Sequence, residues 1–255
     1  MYKIITKIFK HISRYIHNNK SVTFVTGASE FFYESLRDNL LSSLYKFEKD
    51  AKIIIWDLGL NDNQRIELKE ILSSQKGGRI ELYFGFDNLP SHYNMCNHNY
   101  AFKSYCIYKS MNICDTDYMF WLDAGCAISN KLCIERNLLS MYGFYSPYSS
   151  TTVSELTIDK VFDLFDDKLY SCFNKRMLSG GVVGIDVQNK KTRTMIREWY
   201  LHTYNKEYIS PDKANLKNHR YDQSLLSLLY YSFNDKVPIL ARRLYNIKIH
   251  LNKGK

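Results

Sequence analysis

Apolar residues recur along this chain with two periods. Short unbroken runs at Val22–Val25, Ala51–Trp56, Arg79–Phe84 and Tyr118–Leu122 have the length and the β-branched or aromatic content of strands. Between them, residues 32–47 place Leu36, Leu40, Leu44 and Phe47 on one helical face, and residues 62–74 and 100–111 also read as helices. Asn61 or Asp62 is the expected cap of the second. Thr26-Gly27-Ala28-Ser29 reads as the turn after the first strand, and Gly77-Gly78 breaks the chain before the third. This strand–helix alternation predicts an α/β fold with a mostly parallel central sheet flanked by helices and right-handed crossovers. The second half begins with a glycine-rich strand at Met177–Val187 and continues into a helix at Lys191–Tyr204. Residues 218–231 then form a helix whose first turn holds Asp222 and Gln223, and a short strand with a basic tail ends the chain. Without internal repeats, a length of 255 residues suits one large domain over residues 21–255.

Charge changes the picture at the amino terminus. The formal charge is +9, which favours an anionic partner such as a phosphorylated substrate or an acidic membrane surface. Nucleic acid is not expected, because no helix-turn-helix, zinc-finger or RNP-like signature accompanies the charge. Residues 1–20 place Ile4, Ile5, Ile8, Phe9, Ile12, Tyr15 and Ile16 at helical spacing among Lys3, Lys7, Lys10, Arg14 and Lys20. That segment is too interrupted by charge to span a bilayer and lacks the apolar core of a signal peptide. It is either a helix packed on the domain or a basic amphipathic helix lying on an anionic membrane. A cytoplasmic location, peripheral on a membrane, follows from the second case. Six cysteines without a C-x-x-C pair indicate buried thiols in a reducing compartment.

Candidate chemistry lies where strands end. Tyr118–Leu122 stops at Asp123-Ala124-Gly125, and open α/β sheets bind ligands at the carboxyl ends of their strands. Asp123 there is a candidate for holding a metal or a sugar hydroxyl. Thr26, Gly27 and Ala28 end the first strand and Asp57 ends the second, so a nucleotide lying along this edge would meet them. Asp and Gly are also ordinary turn residues, and Asp57 alone is more often a cap or turn residue. Neither G-x-G-x-x-G nor a P-loop is present.

Taken in order, Thr26-Gly27-Ala28, Trp121-Leu122-Asp123-Ala124-Gly125, Leu178-Ser179-Gly180-Gly181-Val182-Val183-Gly184 and Arg220-Tyr221-Asp222-Gln223-Ser224 resemble the GT-A-fold nucleotide-sugar glycosyltransferases. They are most similar to glycosyltransferase family 8 and its bacterial surface-polysaccharide relatives, over residues 21–255. The resemblance implies a Rossmann-like, GT-A-like single domain that moves a sugar from a nucleotide-diphosphate donor, with UDP the default, to a saccharide or lipid-linked acceptor. It also implies retention at the anomeric carbon. Carried over by position, Asp123, Asp222 and Gln223 are the expected catalytic residues. Ser179, Gly180, Gly181 and Arg220 would line the sugar pocket, Lys253 would meet donor phosphate, and Lys103 would either reach that phosphate or stay a solvated helix lysine. Asp123 and His250 are the expected ligands of Mn²⁺ or Mg²⁺. Gly125 stands where the second aspartate of the metal motif belongs, and losing that carboxylate weakens a site for a hard cation. A catalytically inactive GT-A-like protein that binds a glycan or a partner is the alternative that this departure leaves open.

Overall fold

The structure, a computed structural model, describes residues 4, 5, 7–9, 12, 20–74, 80–84, 86, 88–94, 99–165 and 171–251. Its strands are β1 (Val22–Ala28), β2 (Lys52–Asp57), β3 (Ile80–Tyr83), β4 (Tyr118–Leu122), β5 (Ala127–Ile128), β6 (Phe144–Tyr145), β7 (Tyr148–Thr152), β8 (Arg176–Leu178), β9 (Val182–Asp186) and β10 (Ile247–Lys248). Six of them form the central sheet, in the order β3-β2-β1-β4-β9-β6. β1 to β4 run parallel, β9 is antiparallel to β4, and β6 is antiparallel to β9. Two small pairs flank this sheet, β5 with β10 and β7 with β8. The long helices are α1 (residues 33–47, with a π turn over Leu36–Leu41), α2 (Asp62–Ser74), α3 (Ala101–Ile113), α4 (Cys133–Tyr142), α5 (Lys190–Tyr204) and α6 (Asp222–Phe233).

The reason for this arrangement is visible in the burial. Val25, Ile54, Ile55, Phe120 and Trp121 are all at most 1% exposed, so these strands are covered on both faces, as parallel strands require. Helix α2 begins with a capping box in which Asn61 Oδ1 accepts from the Gln64 amide at 3.0 Å and Gln64 Oε1 accepts from the Asn61 amide at 3.1 Å. Of the five cysteines in the described region none is disulfide-bonded, and Cys106, Cys126 and Cys172 are buried. Among the described residues no helix is long and apolar enough to cross a membrane.

Two sequence expectations are corrected. Thr26-Gly27-Ala28 is not a turn: β1 continues through it, pairing Thr26, Gly27 and Ala28 with Ile55, Trp56 and Asp57. A Cβ on Gly27 would stand 2.8 Å from Leu58 Cδ1, so glycine is needed here for close packing within the layer. Met177–Val187 is likewise not one strand. It breaks at Ser179-Gly180-Gly181, with β8 leaving for a separate pair and β9 joining the main sheet. Gly77-Gly78, Asn18, Asn19, Cys96, Lys253 and Lys255 lie outside the described residues.

Candidate active site

Asp123 follows β4 directly, at the carboxyl edge of the sheet. Its amide donates to Gly181 O at 3.0 Å, and its carbonyl accepts from the Cys126 amide at 2.8 Å. Trp121, two residues earlier on the same strand face, donates its indole N–H to Asp123 Oδ1 at 2.7 Å. The carboxylate thereby has one fixed orientation while its side chain stays 42% exposed.

Facing it is Lys103 in the first turn of α3, only 6% exposed. Its ammonium lies 3.1 Å from Asp123 Oδ1, 3.3 Å from Asp123 Oδ2, 3.2 Å from Gly180 O and 3.6 Å from Asp222 Oδ2. Burial by itself would push this amine down, but Asp123 and Asp222 outweigh it and hold it protonated above its ordinary range. Asp222 starts α6 and is 4% exposed. Burial pushes its carboxyl up to about 6; the charge of Lys103 pulls the other way, and the Asp123 charge adds to the rise. Both partners rise because the lysine is held chiefly by Asp123. Asp222 Oδ2 has only the longer ionic contact and makes no hydrogen bond. Asp222 is therefore the less well compensated of the two carboxylates.

The glycine pair makes room for this triad. A Cβ on Gly181 would stand 2.9 Å from Asp123 Oδ2, and one on Gly180 would stand 3.1 Å from Asp222 Oδ2 and 3.4 Å from Gln223 Cβ. The break between β8 and β9 thus falls where two carboxylates press on the main chain. Two tyrosines with positive φ flank the same place: Tyr100 (φ 56°) before α3 and Tyr221 (φ 47°) before α6. Such conformations cost on the order of 1–3 kcal/mol each and persist where surrounding structure enforces them. Tyr100 also covers the Lys103 ammonium with its ring at 5.6 Å.

The candidates therefore divide. Asp123, Lys103, Gly180, Gly181, Asp222 and Gln223 converge at one place. Ser179 borders it through its backbone, its amide donating to Pro147 O and its carbonyl accepting from Ser146 Oγ. Thr26, Gly27 and Ala28 lie buried within β1. Asp57 is absorbed into the turn after β2. Its Oδ1 accepts from the Gly59 and Leu60 amides and its Oδ2 from Arg65 Nε at 2.6 Å. Burial works against ionisation of Asp57, but those donors hold its carboxyl below the usual range. The Arg220 side chain is exposed, and its amide donates to Leu156 O. The sequence reading assigns neither Trp121 nor Tyr100 a role in the site. The alternation of β4, which puts positions 121 and 123 on one face, carried the signal for Trp121.

The chain's end runs back past this edge. β10 pairs with β5, and the Leu251 amide donates to Gly125 O at 3.0 Å. His250, with φ 58°, thus enters the neighbourhood of Gly125. The described donors nevertheless do not fit a divalent cation. No three His, Cys, Asp or Glu side chains gather closely enough among the described residues. The Asp123 carboxylate already faces an indole N–H and an ammonium, and a Cβ on Gly125 would stand 3.3 Å from the Leu251 carbonyl. A cation so close to Lys103 would meet like charge.

No protein-family model matches the chain, and no curated protein matches it in sequence. Solved structures do match in fold. The bifunctional glycosyltransferase WbbM in its apo form has a TM-score of 0.53 at 10% identity, over 84% of this chain and 38% of its own. An active-site mutant of LgtC has a TM-score of 0.52 at 13% identity, over 91% of this chain and 88% of its own. This chain thus spans well under half of WbbM and most of LgtC. At such identities the likeness is one of architecture, and the architecture is GT-A-like: a mostly parallel six-stranded sheet flanked by helices, of the kind found in glycosyltransferases.

Proposed function

We propose that the chain is a glycosyltransferase that moves a sugar, with retention, from a nucleotide-diphosphate donor to a saccharide or lipid-linked acceptor. UDP is the expected nucleotide. The observation that carries this reading is the buried Lys103 ammonium set between Asp123 and Asp222 at the carboxyl edge of a GT-A-like sheet. Breaking a sugar–phosphate bond builds positive charge at the anomeric carbon and negative charge on the departing diphosphate. Fixed charges pointed at those centres lower the barrier without reorganising. Asp123 and Asp222 are the anionic side of that arrangement, and Lys103 fixes their separation. Gln223, beside Gly180, flanks the sugar pocket. Residues 1–20 rest on an anionic membrane surface at the cytoplasmic face. A panel of nucleotide sugars, scored by donor turnover and by thermal shift with Mn²⁺ and with EDTA, tests the reading. Turnover of one donor is the expected result. Donor or glycan binding without turnover would instead establish the inactive binder, a reading favoured by Gly125 and the poor divalent donor set; failure of both removes the nucleotide-sugar reading.

The fit of Gly181 gives a first prediction. Gly181→Ala presses a methyl group against Asp123 Oδ2, so the carboxylate must swing away from Trp121. We expect kcat/KM to fall about 10- to 100-fold, the cost of misplacing a group by about 1 Å. Unfolding temperature should change little, because the Asp123 side chain is partly exposed. Wild-type kinetics in this variant would remove the positional argument.

Asp222 gives a second, in which activity and stability move in opposite directions. Its folded pKa, near 6, exceeds the unfolded value. The folded state therefore binds the proton more tightly, and this contribution to stability is present at low pH and lost as pH rises through about 6. Above pH 7 the ionised Asp222 strains the fold. Asp222→Asn should stabilise the protein at pH 7.5 by on the order of 1–3 kcal/mol, with the gain vanishing near pH 4. The wild-type kcat/KM should show an acid limb near pH 6. Thermal melts of both proteins across pH check the first statement, and pH–rate profiles the second.

A further inference from the structure

At the edge opposite the Asp123 triad, a cavity of about 720 Å³ opens between the segments that enter β1, β2 and β4 and the residues flanking the start of α4. Its walls carry Lys20, Lys46, Lys49, Lys52, Lys131 and Arg136. Against these six cations stand only Glu48, Asp50 and Asp115. Two of the acids are already engaged: Glu48 Oε2 holds Arg136 Nη2 at 2.7 Å, and Asp115 holds Lys52 at 3.3 Å. Arg136 is 3% exposed, and its Nε and Nη1 have no hydrogen-bond acceptor among the described residues. The transfer chemistry leaves this basic hollow without a role.

Its neighbour is apolar. Ile4, Ile5, Ile8 and Ile12 are helical and are 62%, 42%, 53% and 48% exposed. Positions 4, 5, 8 and 12 fall on one helical face, so they form an isoleucine ridge facing solvent. Phe9 turns the other way and meets Tyr245 edge-to-face, with ring centroids 6.5 Å apart. The next residue, Asn246, donates from Nδ2 to the Lys131 carbonyl at 3.5 Å, and Lys131 lines the cavity. The helix that carries the ridge is thus tied through Tyr245 and Asn246 to one wall of the basic hollow.

We propose that the cavity at the amino ends of the strands binds the phosphate of anionic lipid headgroups while the isoleucine ridge enters the acyl boundary beside it. This rests on the reading that residues 1–20 contact a membrane and assigns the second half of that contact. An anionic bilayer is the partner that offers apolar depth and phosphate charge side by side. A soluble phosphate would leave the ridge in water. The docking also sets the direction of catalysis. β1 runs from the cavity to the catalytic edge over seven residues, about 23 Å at the usual rise per strand residue. The sugar-accepting hydroxyl would then belong to a saccharide reaching about that far above the headgroups.

The test uses the full chain and vesicles of phosphatidylcholine, alone or with about 30% phosphatidylglycerol. Charge reversal at Lys46, Lys49 and Lys131 together (each Lys→Glu) should lower partition onto the anionic vesicles by about 10-fold or more, since each basic side chain near such a surface contributes measurably. Arginine at the same three positions should preserve binding. Ile4→Asp with Ile8→Asp should weaken binding to vesicles of both compositions. Wild-type binding by the Lys→Glu variant, with loss in the isoleucine variant, overturns the cavity assignment and leaves the membrane contact standing. Equal binding of the wild type to neutral and anionic vesicles overturns the cavity assignment, and no binding to either overturns both. A melting temperature raised by millimolar inorganic phosphate in the wild type but not in the Lys→Glu variant, without vesicle binding, assigns the cavity to a soluble anion and overturns the bilayer.

Discussion

Asp123→Asn is expected to reduce donor turnover about 10³-fold while leaving the unfolding temperature within a few degrees of wild type. The amide keeps an oxygen to accept the Trp121 indole N–H, so orientation survives. What disappears is the charge 3.1 Å from Lys103. The side chain is 42% exposed, so the fold loses little. A secondary effect separates this account from a general loss of shape. In the wild type the Asp123 charge helps raise the Asp222 carboxyl, and Lys103 is shared between the two acids. With Asp123 neutral, Lys103 serves Asp222 alone, and the residual activity should show its acid limb below pH 6. Residual turnover within about tenfold of wild type, with an unmoved limb, would take Asp123 out of the centre of the site.

Much of this was written in local pattern. Buried runs, helical spacing and the order of elements gave the parallel sheet, because burial on both faces leaves a plain signal of continuous apolar residues. The position of Asp123 at a strand end was legible for the same reason. The extent of β1 was not. Thr26-Gly27-Ala28 carries turn chemistry by composition, yet the ladder to Ile55, Trp56 and Asp57 keeps it extended, and that partner strand is distant in sequence. The split of residues 177–187 was hidden too. Val182–Asp186 reads as a continuation of Met177 and Leu178, and only the packing of Asp123 and Asp222 against Gly181 and Gly180 shows why the chain parts there.

The site shows the same division. Lys103 is one lysine among many in the sequence, and a helix lysine is most often solvated. Its burial depends on where α3 meets β4 and α6, which is tertiary information. Asp57 is the converse case. Its strand-end position resembles that of Asp123, yet Arg65, eight residues later on α2, turns it into part of a closed turn. Two aspartates at equivalent edges thus differ because one finds its cation on the following helix and the other shares a buried lysine with a second acid.

That lysine carries the other large prediction. Lys103→Met keeps the length of the side chain but removes the only cation facing Asp123 and Asp222 among the described contacts. Leaving one member of a buried pair uncompensated costs about 3–5 kcal/mol, a fall in unfolding temperature of roughly 6–20 °C for a chain of this size. The cost should depend on pH in a definite sense. Lys103 lowers the Asp222 pKa, so its loss raises that carboxyl beyond about 6. A carboxyl raised further in the folded state is harmless while protonated and destabilising once ionised, so the penalty should be greatest at pH 8 and small at pH 5. The double variant Lys103→Met with Asp222→Asn should recover most of the lost stability at pH 8, because Asp123 can be solvated and the new amide carries no charge to desolvate. It should recover none of the activity, expected to be down about 10²- to 10³-fold in both variants. Thermal melts at the two pH values, run beside donor turnover, separate these outcomes. If the single variant melts at the wild-type temperature at pH 8, Lys103 and Asp222 do not form the buried pair on which the site is built.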